Sequence, residues 1–378
     1  MILTDKLAQQ IVDRTMSIIE RNINVMNSHG VIIGSGDKNR LGKRHEGALI
    51  AIKKKKRVEI TENNMNLYNN VKPGINLPIF LNEQIVGVIG ITGVPTQISK
   101  YGELVKMAAE VSLQQAYVTE QLQFEQRLIE ELVSQIIHDD IDDYFYERME
   151  RLSIDRSVPR LVIVLEWKSK EKEHQNIQKQ LQFLLGKNSI KGELAASISP
   201  SVFVILKPIH HQGKLDKTLI ENELNELLFH MKKLNSFQGK LAISSKCSSL
   251  HEMEAAYKKT KKTLKVGKII HPDKEFYFYD DYIIPVLFSD IEISNEPKLH
   301  TYQLIVENDK KGELQETLQA FIEENGELNK IANCLYIHRN TLRYRLEKIH
   351  KISGKDPKNF KQLFELYISQ LLYQLNAD

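Results

Sequence analysis

With 378 residues the chain is longer than one hydrophobic core supports, and it reads as two or three domains. Its 52 Lys and Arg against 49 Asp and Glu leave a formal charge of only +3, which excludes a basic coat and confines any nucleic-acid surface to one module. Cys247 and Cys334 lie far apart without metal spacing, so a disulfide framework is excluded and both read as buried small residues in a reducing compartment.

Charged residues inside the first turns exclude a signal-peptide core, and no uninterrupted apolar stretch could span a bilayer. A cytoplasmic location without membrane association is the expectation. Leu3, Leu7, Ile11, Met16 and Ile19 recur at helical spacing and predict a helix over 4–20. Strands over 24–27 and 31–34 come next, joined by the hairpin signal Ser28-His29-Gly30. Gly34-Ser35-Gly36-Asp37 reads as a flexible loop with free backbone N–H groups. Residues 40–47 lead into a helix over 48–52, and residues 53–57 read as its solvated basic end. Two more strands, over 77–81 and 85–92, are joined by Asn82-Glu83-Gln84. This order predicts a small α+β sensor domain with an antiparallel sheet and a pocket between sheet and helices.

Pro73-Gly74-Ile75-Asn76-Leu77-Pro78 reads as a rigid bend that presents Asn76 and nearby amides to one point. Convergent donors of this kind suit a carboxylate. Arg40 supplies a guanidinium fork matched to carboxylate oxygens. His45 precedes a helix, whose N-terminal amides attract anions.

From 100 to 140 the chain has one Gly and no Pro. Leu104, Ala108, Val111, Gln115, Val118, Leu122, Glu125, Ile129, Leu132 and Ile136 alternate spacings of four and three. That is a heptad seam on a long helix, exposed on most sides, which pairs with its twin in a dimer. Gln115 and Glu125 fix its register, and a seam that shifts between two arrangements carries a ligand signal outward.

The middle segment reads β-α-β-β-α-β-α-β: strands over 160–167, 193–198, 202–206, 240–244 and 276–279, and helices over 171–185, 216–234 and 251–266. His210 and His211 read as an exposed pair in a loop with Pro208 and Gly213. Residues 290–298 read as a linker, and helices over 300–308 and 312–324 buttress the C-terminal motif. In that motif Leu328, Ile331, Ala332 and Leu335 share one helical face, a break comes at Tyr336-Ile337, and Leu342, Leu346 and Ile349 form the core face of a second helix. This is a helix-turn-helix. Asn340 and Thr341 open the second helix, whose outer positions are strongly basic. Such a helix lies in a major groove, first turn toward base edges and cations toward phosphates. Arg339, Asn340 and Thr341 are expected at bases; Arg343, Arg345 and Lys348 at phosphates; His338 and Tyr344 at the groove or in support of the helix. A terminal helix over 359–375, with Phe360, Leu363, Phe364, Leu366, Tyr367, Leu371 and Leu372, closes that domain's core.

His338-Arg339-Asn340-Thr341-Leu342-Arg343-Tyr344-Arg345-Leu346 resembles the C-terminal helix-turn-helix of the PucR and sugar-diacid regulator families, which implies a bacterial transcriptional regulator. Residues 1–130 resemble the sugar-diacid recognition domain. The matching runs are Leu7-Ala8-Gln9-Gln10-Ile11-Val12, Asn24-Val25-Met26-Asn27, Gly34-Ser35-Gly36-Asp37, Arg40-Leu41-Gly42, His45-Glu46-Gly47-Ala48, Pro73-Gly74-Ile75-Asn76-Leu77-Pro78 and Gly87-Val88-Ile89-Gly90-Ile91-Thr92-Gly93. That resemblance implies a small carboxylate effector such as glucarate, galactarate or glycerate. Its contacts are assigned to Arg40, His45, Asn76 and the amides around Glu46 and Gly47, with Ser35 and Thr92 as further candidates.

The middle segment resembles a degenerate nucleotide-cyclase-like (GGDEF-type) domain. In active cyclases the central hairpin carries Gly-Gly followed by carboxylates that help position metal. Here it is Ile198-Ser199-Pro200-Ser201-Val202, so a scaffold is expected, not an enzyme. The resulting expectation is a multidomain α/β protein. It comprises an N-terminal α+β ligand-sensor domain (1–99), a long linking helix (100–140), a degenerate GGDEF-like α/β domain (155–285) and a C-terminal all-α helix-turn-helix domain (298–378). Expected partners are operator DNA, a small carboxylate effector and a second copy of the chain, as a homodimer or higher homo-oligomer. No cofactor and no metal are expected. A residual cyclase-type or nucleotide-binding enzyme, and a protein-interaction adaptor, stand as alternatives.

Overall fold

The computed structural model describes residues 3–68, 71–170, 173–187, 192–209, 216–234, 237–291 and 300–376. His210, His211 and most of the expected linker at 290–298 lie outside the described residues. The chain divides into two units, Met1–Gln126 and Arg127–Asp378.

In the first unit, α1 (Asp5–Ile19) starts where the Thr4 hydroxyl accepts from the Leu7 N–H and buries Ala8, Ile11 and Val12. Strands β1 (Ile23–Asn27) and β2 (Ile32–Ser35) form the expected hairpin. Helix α2 (Glu46–Lys54) follows, then a three-residue strand β3 (Val58–Ile60), too short to register as an alternating pattern. Strands β4 (Gly74–Leu81) and β5 (Gln84–Thr92) complete an antiparallel sheet of order β2-β1-β5-β4-β3. The sheet corrects the reading of residues 73–78. Only Pro73 is a bend: Gly74 opens β4, and Asn76 pairs Gly90 on one side and Val58 on the other. Pro78 is tolerated because β3 pairs only as far as Asn76, leaving the sheet edge open beyond it.

The sheet separates two apolar clusters by strand alternation. Ile23, Val25, Ile75, Leu77, Ile89 and Ile91 face α1 and the first turns of α3 (Pro95–His138). Met26, Ile32 and Val88 face Ala48 and Ala51 of α2. Helix α3 is therefore not a free linker. Ile98, Val105, Ala109 and Leu113 are buried in the first unit's core. Gly102 allows close approach, since a Cβ there would sit 2.2 Å from Ile75.

In the second unit the end of α3 contributes Leu132, Val133, Ile136 and Ile137 to another core. Leu132 and Ile136 are thus core residues of their own chain, and the exposed seam stops before them. A short helix α4 (Phe145–Arg151), absent from the sequence reading, joins the same core. The α/β domain follows as β6 (Arg160–Lys168), α5 (His174–Lys187), β7 (Leu194–Ser199), β8 (Val202–Pro208), α6 (Lys217–Met231), β9 (Gln238–Ile243), α7 (His251–Ile270), β10 (Phe276–Phe278) and α8 (Ile283–Phe288). Its sheet runs β10-β9-β6-β8-β7, with only the β9–β10 pair parallel. One face carries α5 and α6; α7, α8, α4 and the end of α3 share the core cluster on the other.

The C-terminal domain is all helical: α9 (Thr301–Glu307), α10 (Glu313–Glu323), α11 (Leu328–Cys334), α12 (Arg339–Ser353) and α13 (Phe360–Leu375). Leu342, Leu346 and Ile349 enter its core with Ile331, Ala332, Leu318 and Phe321. Two expectations need correction here. Cys334 is exposed, because it falls on the outer face of α11. Phe360 and Phe364 are also exposed, Phe360 by 82%, because only the opposite face of α13 packs inward.

Candidate functional site

The pairing register of the first sheet builds the site floor. Ser35 pairs Asn24, Asn24 pairs Gly90, and Gly90 pairs Asn76. Directly paired residues project to one face, so four strands lay a polar row, Ser35–Asn24–Gly90–Asn76, on the α2 side of the sheet. Ser35, Asn24 and Asn76 are all buried. Gly90 leaves room within the row: a Cβ there would lie 3.2 Å from Asn76 Oδ1 and 3.3 Å from the Met26 methyl.

The α2 N-terminus forms the wall. The His45 Nδ1 accepts from the Ala48 N–H at 3.3 Å and caps the helix. Its Nε2 therefore carries the proton of the neutral ring and is a donor. Gly47 brings the wall onto the floor, since a Cβ there would lie 2.7 Å from Asn76 Nδ2 and 3.0 Å from His45 Cε1. Arg40 is buried in the turn before α2, and both Arg40 and Glu46 hold partners of their own. Asn76 Oδ1 is buried, and no group among the described residues donates to it. Leaving such a group unsatisfied costs about 1–3 kcal/mol, which is the usual mark of a position awaiting a ligand, water or ion.

The structure thus brings Arg40, His45, Gly47 and Asn76 together. Ser35 serves the floor indirectly. Its Oγ donates to Asn24 Oδ1 at 2.6 Å and accepts from the Asp37 N–H, so it holds Asn24 in place. Thr92 lies on the same face, two residues beyond Gly90 and half-buried. The free N–H groups expected at residues 34–37 are taken. The Ser35 N–H donates to Gln9 Oε1, the Gly36 N–H to the Ile23 carbonyl, and the Asp37 N–H to Ser35 Oγ. Gln9 from α1 here covers the open edge of β2, accepting from one Ser35 backbone group and donating to the other. Asn24 and Gly90 are the residues the sequence reading left without a role. An Asn inside an otherwise apolar strand was their available signal.

Burial first, then the Arg40 charge, push the His45 imidazole from 6.5 down to about 4, against a smaller opposing pull from Glu46. Between those values the unfolded chain binds more protons than the folded one, so stability rises with pH across that window. We expect the first unit to lose about 3 kcal/mol as pH falls from 6.5 towards 4, at up to about 1.4 kcal/mol for each pH unit. Hydrogen exchange of peptides from residues 3–92 measures this separately from the fluorescence of the single tryptophan, Trp167, in the second unit. A pH-independent exchange rate, after correction for intrinsic exchange, would refute it.

The second candidate surface is α12. Its cap is His338, whose Nδ1 accepts from the Asn340 N–H, rather than Asn340 or Thr341. This leaves Arg339, Asn340, Thr341, Arg343, Tyr344 and Lys348 exposed along one continuous surface. Arg345 departs from that row. Its guanidinium sits 3.1 Å from the Glu313 carboxylate of α10, and its side chain is only 13% exposed. The turn before α12 supplies a residue that sequence reasoning missed. The Ile337 N–H donates to the Ala332 carbonyl and the Tyr336 N–H to that of Asn333, closing α11 with Tyr336 left-handed (φ 54°) and 96% exposed. A glycine is the usual occupant of that position, and a β-carbon there is strained. Tyr336 is thus an exposed aromatic held in a strained conformation beside a cationic helix.

At the hairpin between β7 and β8, Gln178 Nε2 donates to Ser197 Oγ and to the Ser199 and Pro200 carbonyls, tying the turn to α5. Among the described residues no group of three or more His, Cys, Asp or Glu side chains is arranged to hold a metal ion, and no helix is long and apolar enough to cross a membrane.

Comparison with known proteins matches three family models along the chain. Residues 3–136 match the family model described as "Putative sugar diacid recognition", residues 138–266 a GGDEF-like domain, and residues 314–372 the PucR C-terminal helix-turn-helix domain. The chain is 36% identical over 376 residues to the carbohydrate diacid regulator of Escherichia coli, covering 97% of each. It is 32% identical to an uncharacterized protein of Haemophilus influenzae, covering 97% of this chain and 98% of that one. It is 26% identical to the uncharacterized protein YsfB of Bacillus subtilis over the full length of both. Identity of 36% to the Escherichia coli regulator over 97% of both chains, with the sensor and helix-turn-helix family models matched, means that the chain belongs to the carbohydrate diacid regulator family.

Proposed function

We propose that the protein is a cytoplasmic transcriptional regulator that binds a hydroxylated sugar-derived acid of the glycerate, glucarate or galactarate type and controls genes for its uptake or catabolism. The observation that carries this reading is the exposed cationic face of α12 on an intact helix-turn-helix core. The polar floor of the first unit supports the effector class. A carboxylate suits Arg40, the His45 Nε2–H and the α2 amides. A hydroxyl on the same ligand donates to Asn76 Oδ1, which no group among the described residues satisfies.

Arg339, Asn340 and Thr341 read bases, with Tyr336 beside them. Arg343 and Lys348 hold phosphates, and Tyr344 flanks the groove. The α/β domain serves as a scaffold rather than an enzyme. A thermal-shift screen of glycerate, glucarate and galactarate against succinate tests the sensor, because a ligand bound only by the folded state raises its melting temperature. Selection from a randomised duplex library tests the reader and is expected to return paired half-sites one helical turn apart. No acid raising the melting temperature, together with no enriched duplex, would overturn the proposal.

The dimer forms through α3. Leu104, Val111 and Val118 lie seven residues apart, Leu122 continues the seam, and all four are 45–62% exposed while their neighbours Val105 and Leu113 are buried in the chain's own core. An apolar heptad stripe left outside a folded unit matches a second copy of itself. Val111→Glu with Leu122→Glu should convert a dimer to monomer in sedimentation analysis without weakening effector binding. A dimer that survives both changes excludes this seam.

A further inference from the structure

The α/β domain holds a cavity that neither the effector reading nor the DNA reading uses. It has a volume of about 410 Å³ and lies between α5, α6 and the sheet. That is a size which encloses a small organic molecule. Its inner walls are apolar, from Ile163 and Ile205 of the sheet, Leu184 and Leu185 of α5, and Leu224 and Leu227 of α6. None of the hairpin residues between β7 and β8 lines it.

The mouth is acidic. Lys207 Nζ lies 2.7 Å from a Glu223 oxygen and 3.7 Å from a Glu193 oxygen, so one ammonium stands between two carboxylates. The nearer pairing leaves Glu193 the poorer share, although its side chain is only 8% exposed. Burial pushes the Glu193 carboxyl up from its ordinary range, the Lys207 charge opposing this. Glu226, one turn along α6 from Glu223, adds a third carboxylate to the lining. Three carboxylates stand against one lysine, a formal excess of two negative charges at the mouth. A buried carboxylate short of a counter-charge is stabilised by any cation that reaches it, and the apolar walls favour an organic cation over a hydrated metal ion.

We propose that this cavity is a second ligand site, which takes a small primary amine with a compact apolar body. The ammonium lies between Glu193 and Glu226, and the hydrocarbon packs on Leu224 and Leu227. The site is separate from the polar floor of the first unit, so its test does not depend on the effector assignment.

Three probes of similar size, phenethylamine, 2-phenylethanol and 3-phenylpropionate, are titrated into the full-length protein and followed by saturation-transfer NMR and thermal shift. The amine is expected to bind at least about tenfold more tightly than the alcohol, which corresponds to about 1.4 kcal/mol, and the acid more weakly than either. Glu226→Gln changes an exposed side chain and should fold with an unaltered melting temperature while weakening the amine by several-fold; Glu223→Gln should weaken the amine likewise but lower the melting temperature, because it also takes from Lys207 its nearer partner. Leu184→Trp, which fills the half-buried wall, should abolish binding of the amine and the alcohol alike. An amine that binds no better than the alcohol overturns the proposal, as does undiminished amine binding in both glutamine variants.

Discussion

Asn76→Leu should make the protein more stable and deaf to its effector. Leucine has nearly the shape of asparagine and carries no polar atoms, while Asn76 Oδ1 is buried without a donor. Removing an unsatisfied buried acceptor recovers up to about 1–3 kcal/mol. The surroundings suit the exchange, since Ile60 and the Met26 methyl flank the same gap from the α2 side. The ligand hydroxyl loses its acceptor in the same stroke and is left buried and unpaired. That costs a similar amount on the bound side, so affinity should fall by roughly 10- to 100-fold. The two effects carry opposite signs, which distinguishes the assignment from general damage. A lower melting temperature with unchanged effector affinity would show that Asn76 is a structural residue only.

The second large effect is expected at α12. Arg339→Ala should weaken specific binding by about 1–3 kcal/mol in each half-site if, as proposed, this exposed cation of the first helical turn reads a base edge. Arg343→Ala should act differently. It weakens binding to all sequences alike and lowers the slope of log affinity against log salt by about 0.9 per half-site, the signature of one lost phosphate contact. Arg345→Met is the internal control. Its guanidinium is held by Glu313; the pair is partly exposed on the Glu313 side, so the change should lower stability by no more than about 1 kcal/mol and leave the salt slope near that of the wild type. Anisotropy titrations across a salt series read all three. Equal slopes for Arg343→Ala and the wild type would remove α12 from the phosphate backbone.

The recognition helix was legible because its signals are local. Leu342, Leu346 and Ile349 recur at the helical period, and that period alone determines which residues face in and which face out. The same holds for the β-α-β-β-α-β-α-β order of the middle domain, where each strand and helix carries its own pattern. Arg345 shows where this reasoning ends. At helical spacing it stands beside Arg343 and Lys348, but Glu313, more than thirty residues earlier, draws it against α10. Tyr336 is a similar case. Its left-handed backbone comes from the way α11 must close to bring Ile337 back to the Ala332 carbonyl, and no residue type at that position announces it.

The heptad stripe of α3 illustrates both sides. Spacing identified one helix from Leu104 onward, yet it assigned Leu132 and Ile136 to the same seam as Leu104. Burial then separates them, because the second unit's core claims the last turns. The Pro73–Pro78 run was read from its turn-forming residues, and the ladder with β5 overrode that local preference.

By itself the sequence determined most of the elements and their order, the core face of α12 and its cationic character, since each follows from residues within a turn or two of one another; short elements such as β3 and α4 carry too few residues to show a period. Only the tertiary structure decided the polar row proposed as the effector site. Ser35, Asn24, Gly90 and Asn76 come from four strands and become neighbours through pairing register. A shift of one residue in any strand would turn its side chain to the opposite face, so no reading of the linear chain could have assembled that row.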